Sequence, residues 1–333
     1  MEQQLTRIAV KIGSNVLTRR DGTLDVTRMS ALVDQVAELH KAGVEIILIS
    51  SGAVASGRSE IRPAKKLDSV DQRQLFSAVG QAKLINRYYE LFREHGIPVG
   101  QVLTMKENFA TRRHYLNQKN CMTVMLENGV IPIVNENDTI SVSELMFTDN
   151  DELSGLIASM MDAQVLIILS NIDGIYNGSP ADPASEIIRE IEHGKDLSAY
   201  IQTSKSSFGR GGMLTKTNIA RKVADEGITV IIANGKRDNI LADILHRELP
   251  TLLSGTPLPV LNPQPDYTRF IPAPQPVSSV KKWIAHSEGF AKGELHINDC
   301  ATRVLASDKA VSILPIGITD VRGEFERTTS YVS

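Results

Sequence analysis

Six strand-sized segments rich in aliphatic residues punctuate the first 250 residues of this 333-residue chain: Ile8-Ala9-Val10, Ile46 to Ile49, Val99 to Leu103, Val130 to Val134, Val165 to Leu169 and Thr229 to Ala233. A run that is apolar at successive positions, with no polar alternation, is buried on both faces. Between the runs the periodicity becomes helical. Met29, Leu32, Val33, Val36 and Leu39 share one helix face, and Gly43 supplies the stop. Further helices are predicted over about 71–95, about 117–127, onward from Asp151, and about 212–226 before Gly227. Doubly buried strands alternating with helices predict an α/β fold, a mostly parallel sheet sandwiched by helices.

The composition changes near Pro250. Eight of the fourteen prolines fall between Pro250 and Pro276, which excludes regular helix or central strand and marks a linker or extended crossing segment. The expected organisation is therefore a main domain over 1–256, a Pro-rich linker over 257–280 and a small β-rich module over 281–333. That module shows strand-like pieces at Glu294 to Ile297 and Val311 to Leu314 and no obvious closing strand, so it is expected to be incomplete. The net charge of −3 argues against a phosphate backbone as the main partner, so nucleic acid is not expected. The start lacks a signal-peptide pattern, and no aliphatic run approaches the ~20 residues of a membrane span, which predicts a cytoplasmic protein without membrane contact. Cys121 and Cys300 form no CxxC pair and are expected as buried or neutral thiols.

In a parallel sheet the strand C-termini meet at one edge, where open α/β folds bind ligands. Here those ends carry Lys11-Ile12-Gly13-Ser14-Asn15, Ser50-Ser51-Gly52, Asn135-Glu136-Asn137-Asp138, Ser170-Asn171-Ile172-Asp173 and Asn234-Gly235. A second polar cluster, Thr148-Asp149-Asn150-Asp151-Glu152, opens the helix whose apolar face is Leu153, Leu156, Ile157 and Met160. One Asp or Asn suffices to cap a helix, and this density exceeds what capping requires. The segment Phe208-Gly209-Arg210-Gly211-Gly212-Met213-Leu214-Thr215-Lys216 is a Gly-rich loop entering a helix. Its lysine sits at the helix N-terminus, where the helix dipole disfavours a cation unless an anion is nearby. Neither common phosphate-loop pattern, GxxxxGK[ST] or GxGxxG, occurs at a strand–helix junction. If phosphate binds, Lys11 and Lys216 can hold it from two sides.

Each signal has an ordinary counterpart. A lysine after a strand is most often solvated, Ser50-Ser51-Gly52 suits an N-cap, and a Gly-rich loop is often plain surface. The seven histidines are scattered and none is assigned to catalysis.

Ala9 to Ser14, Ser50 to Gly57, Val134 to Asp138, Thr148 to Ser154 and Gly211 to Lys216, taken in order, resemble the amino acid kinase family, and within it the glutamate 5-kinases. Lys281-Lys282-Trp283-Ile284 looks like the start of a PUA domain. The resemblance implies ATP-dependent phosphorylation of the γ-carboxylate of L-glutamate, the first step of proline biosynthesis. It implies that Ser51, Asp138 and Asn150 hold glutamate, that Lys11 and Lys216 contact the transferring phosphoryl group, and that Asp151 orients the two lysines. Ser170, Asn171 and the loop Arg210, Gly211, Gly212, Met213, Leu214, Thr215 and Lys216 would contact ATP. Mg²⁺ would be held mainly by the nucleotide phosphates, with no side chain assigned as a metal ligand. Feedback inhibition by L-proline and a homo-oligomer are further implications. The residues by themselves leave open another acceptor in the same fold (aspartate, N-acetylglutamate, carbamate or UMP) and, from a different class, an RNA-binding protein led by the tail.

Overall fold

The computed structural model of the chain describes residues 6–141, 149–180, 182–195, 213–249, 261–274, 282–283, 293–305 and 312–323. β1 (Arg7–Ile12) leads through the short α1 (Ser14–Leu17) to α2 (Val26–Lys41) and β2 (Glu45–Ser50). α3 (Ala53–Glu60), the long α4 (Ser69–Glu94) and β3 (Val99–Thr104) follow. Then come α5 (Glu107–Ala110), α6 (Arg112–Glu127), β4 (Ile131–Glu136), α7 (Asn150–Met160), β5 (Val165–Ser170) and β6 (Glu190–Ile191). α8 (Met213–Asp225), β7 (Thr229–Asn234), α9 (Ile240–Glu248) and β8 (Tyr267–Phe270) complete the body. β9 (Gly293–Ile297), α10 (Asp299–Leu305) and β10 (Ile318–Gly323) form a small separate piece.

Eight strands make one sheet in the order β3-β4-β2-β1-β5-β7-β8-β6. The six strands from β3 to β7 in that order are parallel. β8 runs antiparallel to β7, and β6 pairs with β8 in parallel. Successive side chains of a strand point to opposite faces, and both faces of the central strands are dry, whereas the edge strand β3 leaves Gln101 and Leu103 exposed. Val10, Leu48, Ile133, Ile167 and Ile231 pack under α2, α4 and α9, while Ala9, Ile47, Val134, Ile168 and Ile232 pack under α6, α7 and α8. This is the sandwich that the uninterrupted aliphatic runs required.

The ladder extends one or two residues beyond each aliphatic run. Lys11, Ser50, Asn135, Glu136, Ser170 and Asn234 are strand residues, not loop residues following a strand. Backbone pairing does not depend on side-chain polarity, and these side chains find their partners at the edge. α6 begins five residues before the expected start because Thr111 accepts a hydrogen bond from the His114 N–H and caps it. Tyr267–Phe270 lies inside the span read as linker, yet it is a strand of the main sheet. Four residues fit the ladder there because they fall between Pro265 and Pro272. The expected strand at Val311 to Leu314 is displaced: residues 312–314 are irregular, Pro315 opens a 3₁₀ turn, and the strand is β10, antiparallel to β9. Cys121 and Cys300, expected as buried or neutral thiols, are exposed and unpaired. Cys121 sits on the outer side of α6, whose inner side carries Tyr115, Met122 and Leu126. Among the described residues no helix is long and apolar enough to cross a membrane.

Candidate active site

The strand C-termini converge as parallel pairing demands. Ile12 lies beside Ser50 on one side and Leu169 on the other, and Ser170 pairs with Asn234. Three groups of polar side chains occupy this edge, one built around Asp151, one around Asp138 and one at the ends of β5 and β7.

Lys11 occupies the same face of β1 as Ala9, so it points toward α7. There its Nζ meets Asp151 Oδ1 at 2.5 Å. Lys216, in the first turns of α8, donates to the other oxygen, Oδ2, at 2.7 Å. Asp151 is 1% exposed, so both of its oxygens are committed in a dry setting. Burial pushes its carboxyl up, but the charges of Lys11 and Lys216 and the hydrogen bonds from both outweigh burial and hold it below the ordinary aspartate value. Two cations on one anion leave a net positive charge, the sign that an incoming polyphosphate requires. Asp149 caps α7: its Oδ1 accepts from the N–H groups of Asp151 and Glu152. Its Oδ2 is buried with no partner among the described residues, and burial together with repulsion from Asp151 raises its carboxyl above the ordinary value.

The second group is a line of amides ending in carboxylates. Gln81 of α4 accepts from Asn135 Nδ2 at 2.8 Å, and Asn135 Oδ1 accepts from Asn150 Nδ2 at 3.1 Å. The same Asn150 nitrogen donates to Ser51 Oγ at 2.8 Å. Asn150 Oδ1 is left as a buried acceptor without a partner among the described residues. Beyond Asn135, the Arg73 guanidinium joins Glu136 and Asp138, and Ser141 Oγ donates to Glu136 at 2.9 Å. Burial raises the Asp138 carboxyl, and Arg73 only partly offsets this. Gly52, at φ +115°, makes the left-handed turn that carries the chain from Ser51 into α3, a conformation costly for any side chain.

A third region lies at the ends of β5 and β7. Gly235 N–H donates to the Ser170 carbonyl at 2.8 Å, and Asn171 follows Ser170 at this edge. Arg237 grips both oxygens of Asp173, at 2.6 and 2.8 Å, and Asn234 Nδ2 donates to it at 3.0 Å. These hydrogen bonds, led by that from Arg237, hold the Asp173 carboxyl below its ordinary value. Met213, Leu214 and Thr215 open α8, with Leu214 exposed. Arg210, Gly211 and Gly212 lie outside the described residues.

The expected residues thus fall into three neighbouring groups: Lys11, Lys216 and Asp151; Ser51 and Asn150, with Asp138 farther along; and Ser170 and Asn171. The sequence reading missed Gln81, Arg73 and Arg237. Two buried carboxylates at the end of β4 do call for a cation, but nothing local says that it comes from position 73.

The sequence matches the model of the amino acid kinase family over residues 6–234. A protein of Bacteroides thetaiotaomicron named glutamate 5-kinase is 82% identical over 327 residues, which cover 98% of this chain and 87% of that one. A Chlorobaculum tepidum protein of the same name is 46% identical over 323 residues, covering 96% and 84%. A crystal structure of UMP kinase from Ureaplasma parvum shares the fold, at 13% identity and a TM-score of 0.50, over 81% of this chain and all of that one.

Proposed function

The chain belongs to the amino acid kinase family, and from that premise we propose that it transfers the γ-phosphoryl group of ATP to the γ-carboxylate of L-glutamate, the first step of proline biosynthesis. The observation that carries this reading is Asp151 held between Lys11 and Lys216 at one end of α7, with the Asn150–Ser51 amide group joined to it through the same turn.

The chemistry requires little covalent help. The γ-carboxylate of glutamate is ionised at neutral pH (free pKa about 4.3), so no general base has to act. One carboxylate oxygen forms a bond to the γ-phosphorus as the bond from that phosphorus to the ADP oxygen breaks. The products are an acyl phosphate and ADP, and no proton moves. The obstacle is the approach of two anions, which placed cations relieve. Lys11 and Lys216 serve as those cations, and Asp151 fixes both ammonium groups so that neither must reorganise. Ser51, Asn150 and Asp138 hold glutamate. The carboxylate of Asp138 suits an α-ammonium and disfavours an N-acylated acceptor, which has none. Ser170, Asn171 and the segment 210–216 bind the nucleotide. Magnesium would arrive on the phosphates, where it neutralises charge. The unpartnered Asp149 Oδ2 suits a hard cation and is the protein oxygen that would help hold it. Feedback by L-proline and assembly into a homo-oligomer belong to the same reading.

The test is ADP release from Mg-ATP with a panel of acceptors: L-glutamate, aspartate, N-acetylglutamate, carbamate and UMP. Turnover specific to L-glutamate is expected. A clear preference for another acceptor would overturn the assignment of substrate, and addition of L-proline to the same assay reads feedback directly.

A further inference from the structure

We propose that Arg73 is a positioning residue of the glutamate pocket, acting through Asp138; this rests on the kinase reading above. The geometry is asymmetric. Arg73 Nε and Nη2 both reach Asp138 Oδ1, at 2.7 and 2.5 Å, while Nη2 also reaches Glu136 Oε2 at 2.7 Å. Asp138 Oδ2 takes no hydrogen bond among the described residues. The guanidinium therefore clamps one oxygen of the carboxylate and leaves the other for the substrate ammonium.

The clamp is rigidly mounted. Arg73 lies near the start of α4, and its carbonyl accepts from Ser77 Oγ. The adjacent Gln74 donates to the Thr139 carbonyl at 2.8 Å, tying α4 to the residue after Asp138. Farther along α4, Gln81 holds Asn135. One helix thus braces the whole Asn135–Thr139 segment. α4 is in turn locked to α3, the helix that leaves Ser51, because Gly57 and Gly80 let the two backbones touch: a Cβ on Gly80 would lie 1.8 Å from the Ala53 carbonyl oxygen.

The charge balance explains what the clamp does. Glu136 and Asp138 are both buried acids two residues apart. Burial favours the neutral form of Asp138, and the charge and hydrogen bond of Arg73 oppose it. A neutral Asp138 would donate a hydrogen bond where the ammonium needs an acceptor. Among the described residues, the groups facing Asp138 are Arg73 from α4 and Glu136 from β4. Asp149 and Asp151, at the start of α7, stand across the Asn135–Asn150 amide pair and are balanced by Lys11 and Lys216. Among the described residues, Arg73 is the cation in contact with Asp138.

The experiment is a double-mutant cycle in steady-state kinetics on the full chain, with R73Q, R73K, D138N and R73Q/D138N, from about pH 5 to about pH 9. R73Q is expected to raise the KM for glutamate by at least about tenfold. Its kcat should stay within about threefold of wild type, and its KM for ATP should not change. The acid limb of the glutamate KM should move to higher pH in R73Q and return in R73K. In the D138N background R73Q should add almost nothing. If R73Q does not fold, R73K and R73K/D138N carry the same comparison. The proposal is overturned by a wild-type glutamate KM in R73Q at every pH, by an effect confined to kcat, or by a penalty equally large with and without Asp138. A wild-type protein that releases no ADP with glutamate would instead refute the kinase reading itself.

Discussion

At the scale of single residues, Asp151 carries the most weight, because its two oxygens serve two lysines that lie 205 positions apart in the chain. Truncating either lysine removes a charge that the transition state needs. K11A and K216A are each expected to lower the ADP release rate by about 10²–10³-fold while remaining folded; retention of activity in both would remove the two-lysine mechanism. D151N poses the opposite problem, since it leaves two ammonium groups in a dry site without the carboxylate that pairs them. We expect it to cost about 3–5 kcal/mol at neutral pH, read as a shift in the urea midpoint. The sign of its pH dependence follows from the carboxyl's depressed position in the folded protein. The unfolded carboxyl titrates at about 3.9. The stability that Asp151 contributes is therefore fully present above that value and is lost as pH falls through the lower, folded value. The gap between wild type and D151N should accordingly be constant near neutrality and close only in strong acid. A gap that closed between pH 5 and 7 would contradict the pairing.

At the scale of elements, the α3–α4 contact determines how the pocket is assembled. A Cβ on Gly57 would sit 1.8 Å from the Phe76 carbonyl oxygen, so an added methyl must separate the helices. G57A and G80A are each expected to destabilise the fold by about 1–3 kcal/mol and to weaken glutamate more than ATP, because Arg73 lies on one of the helices pushed apart and Ser51 lies just before the other. Equal weakening of both substrates would count against this. The elements also show what could be read from the sequence. Doubly buried strands announce themselves by uninterrupted aliphatic runs, and the strand ends follow from parallel pairing, so Lys11, Ser51, Asn150 and Asp151 were legible as one neighbourhood. Arg73, Gln81 and Arg237 were not. Each reaches its partner across more than fifty residues of chain from a helix or loop of ordinary composition. β8 escaped notice for another reason: proline density marks a segment as irregular on average, whereas a ladder needs only the few residues between two prolines.

At the scale of the whole molecule, two features tie the C-terminal third to the body. Trp283, the single tryptophan of the chain, donates its indole N–H to the Phe109 carbonyl at 3.0 Å and lies beneath the Arg112 guanidinium. Lys282, buried next to it, bonds Asp162 at 3.1 Å. Tryptophan emission should therefore report undocking of this segment, and R112A should alter the emission while leaving the secondary structure unchanged. Emission identical to wild type would show that the seam is not closed in solution. The second feature is β8, which separates β7 from β6 and is the strand through which β6 joins the sheet. During synthesis, β7 would leave the ribosome with one flank bare, and Glu190–Ile191 would have no neighbour until Tyr267–Phe270 emerged some 33 residues later than the end of β7. The nascent body thus carries an open, adhesive margin for that interval, and its maturation is timed by the emergence of residues that belong to no strand of the parallel set.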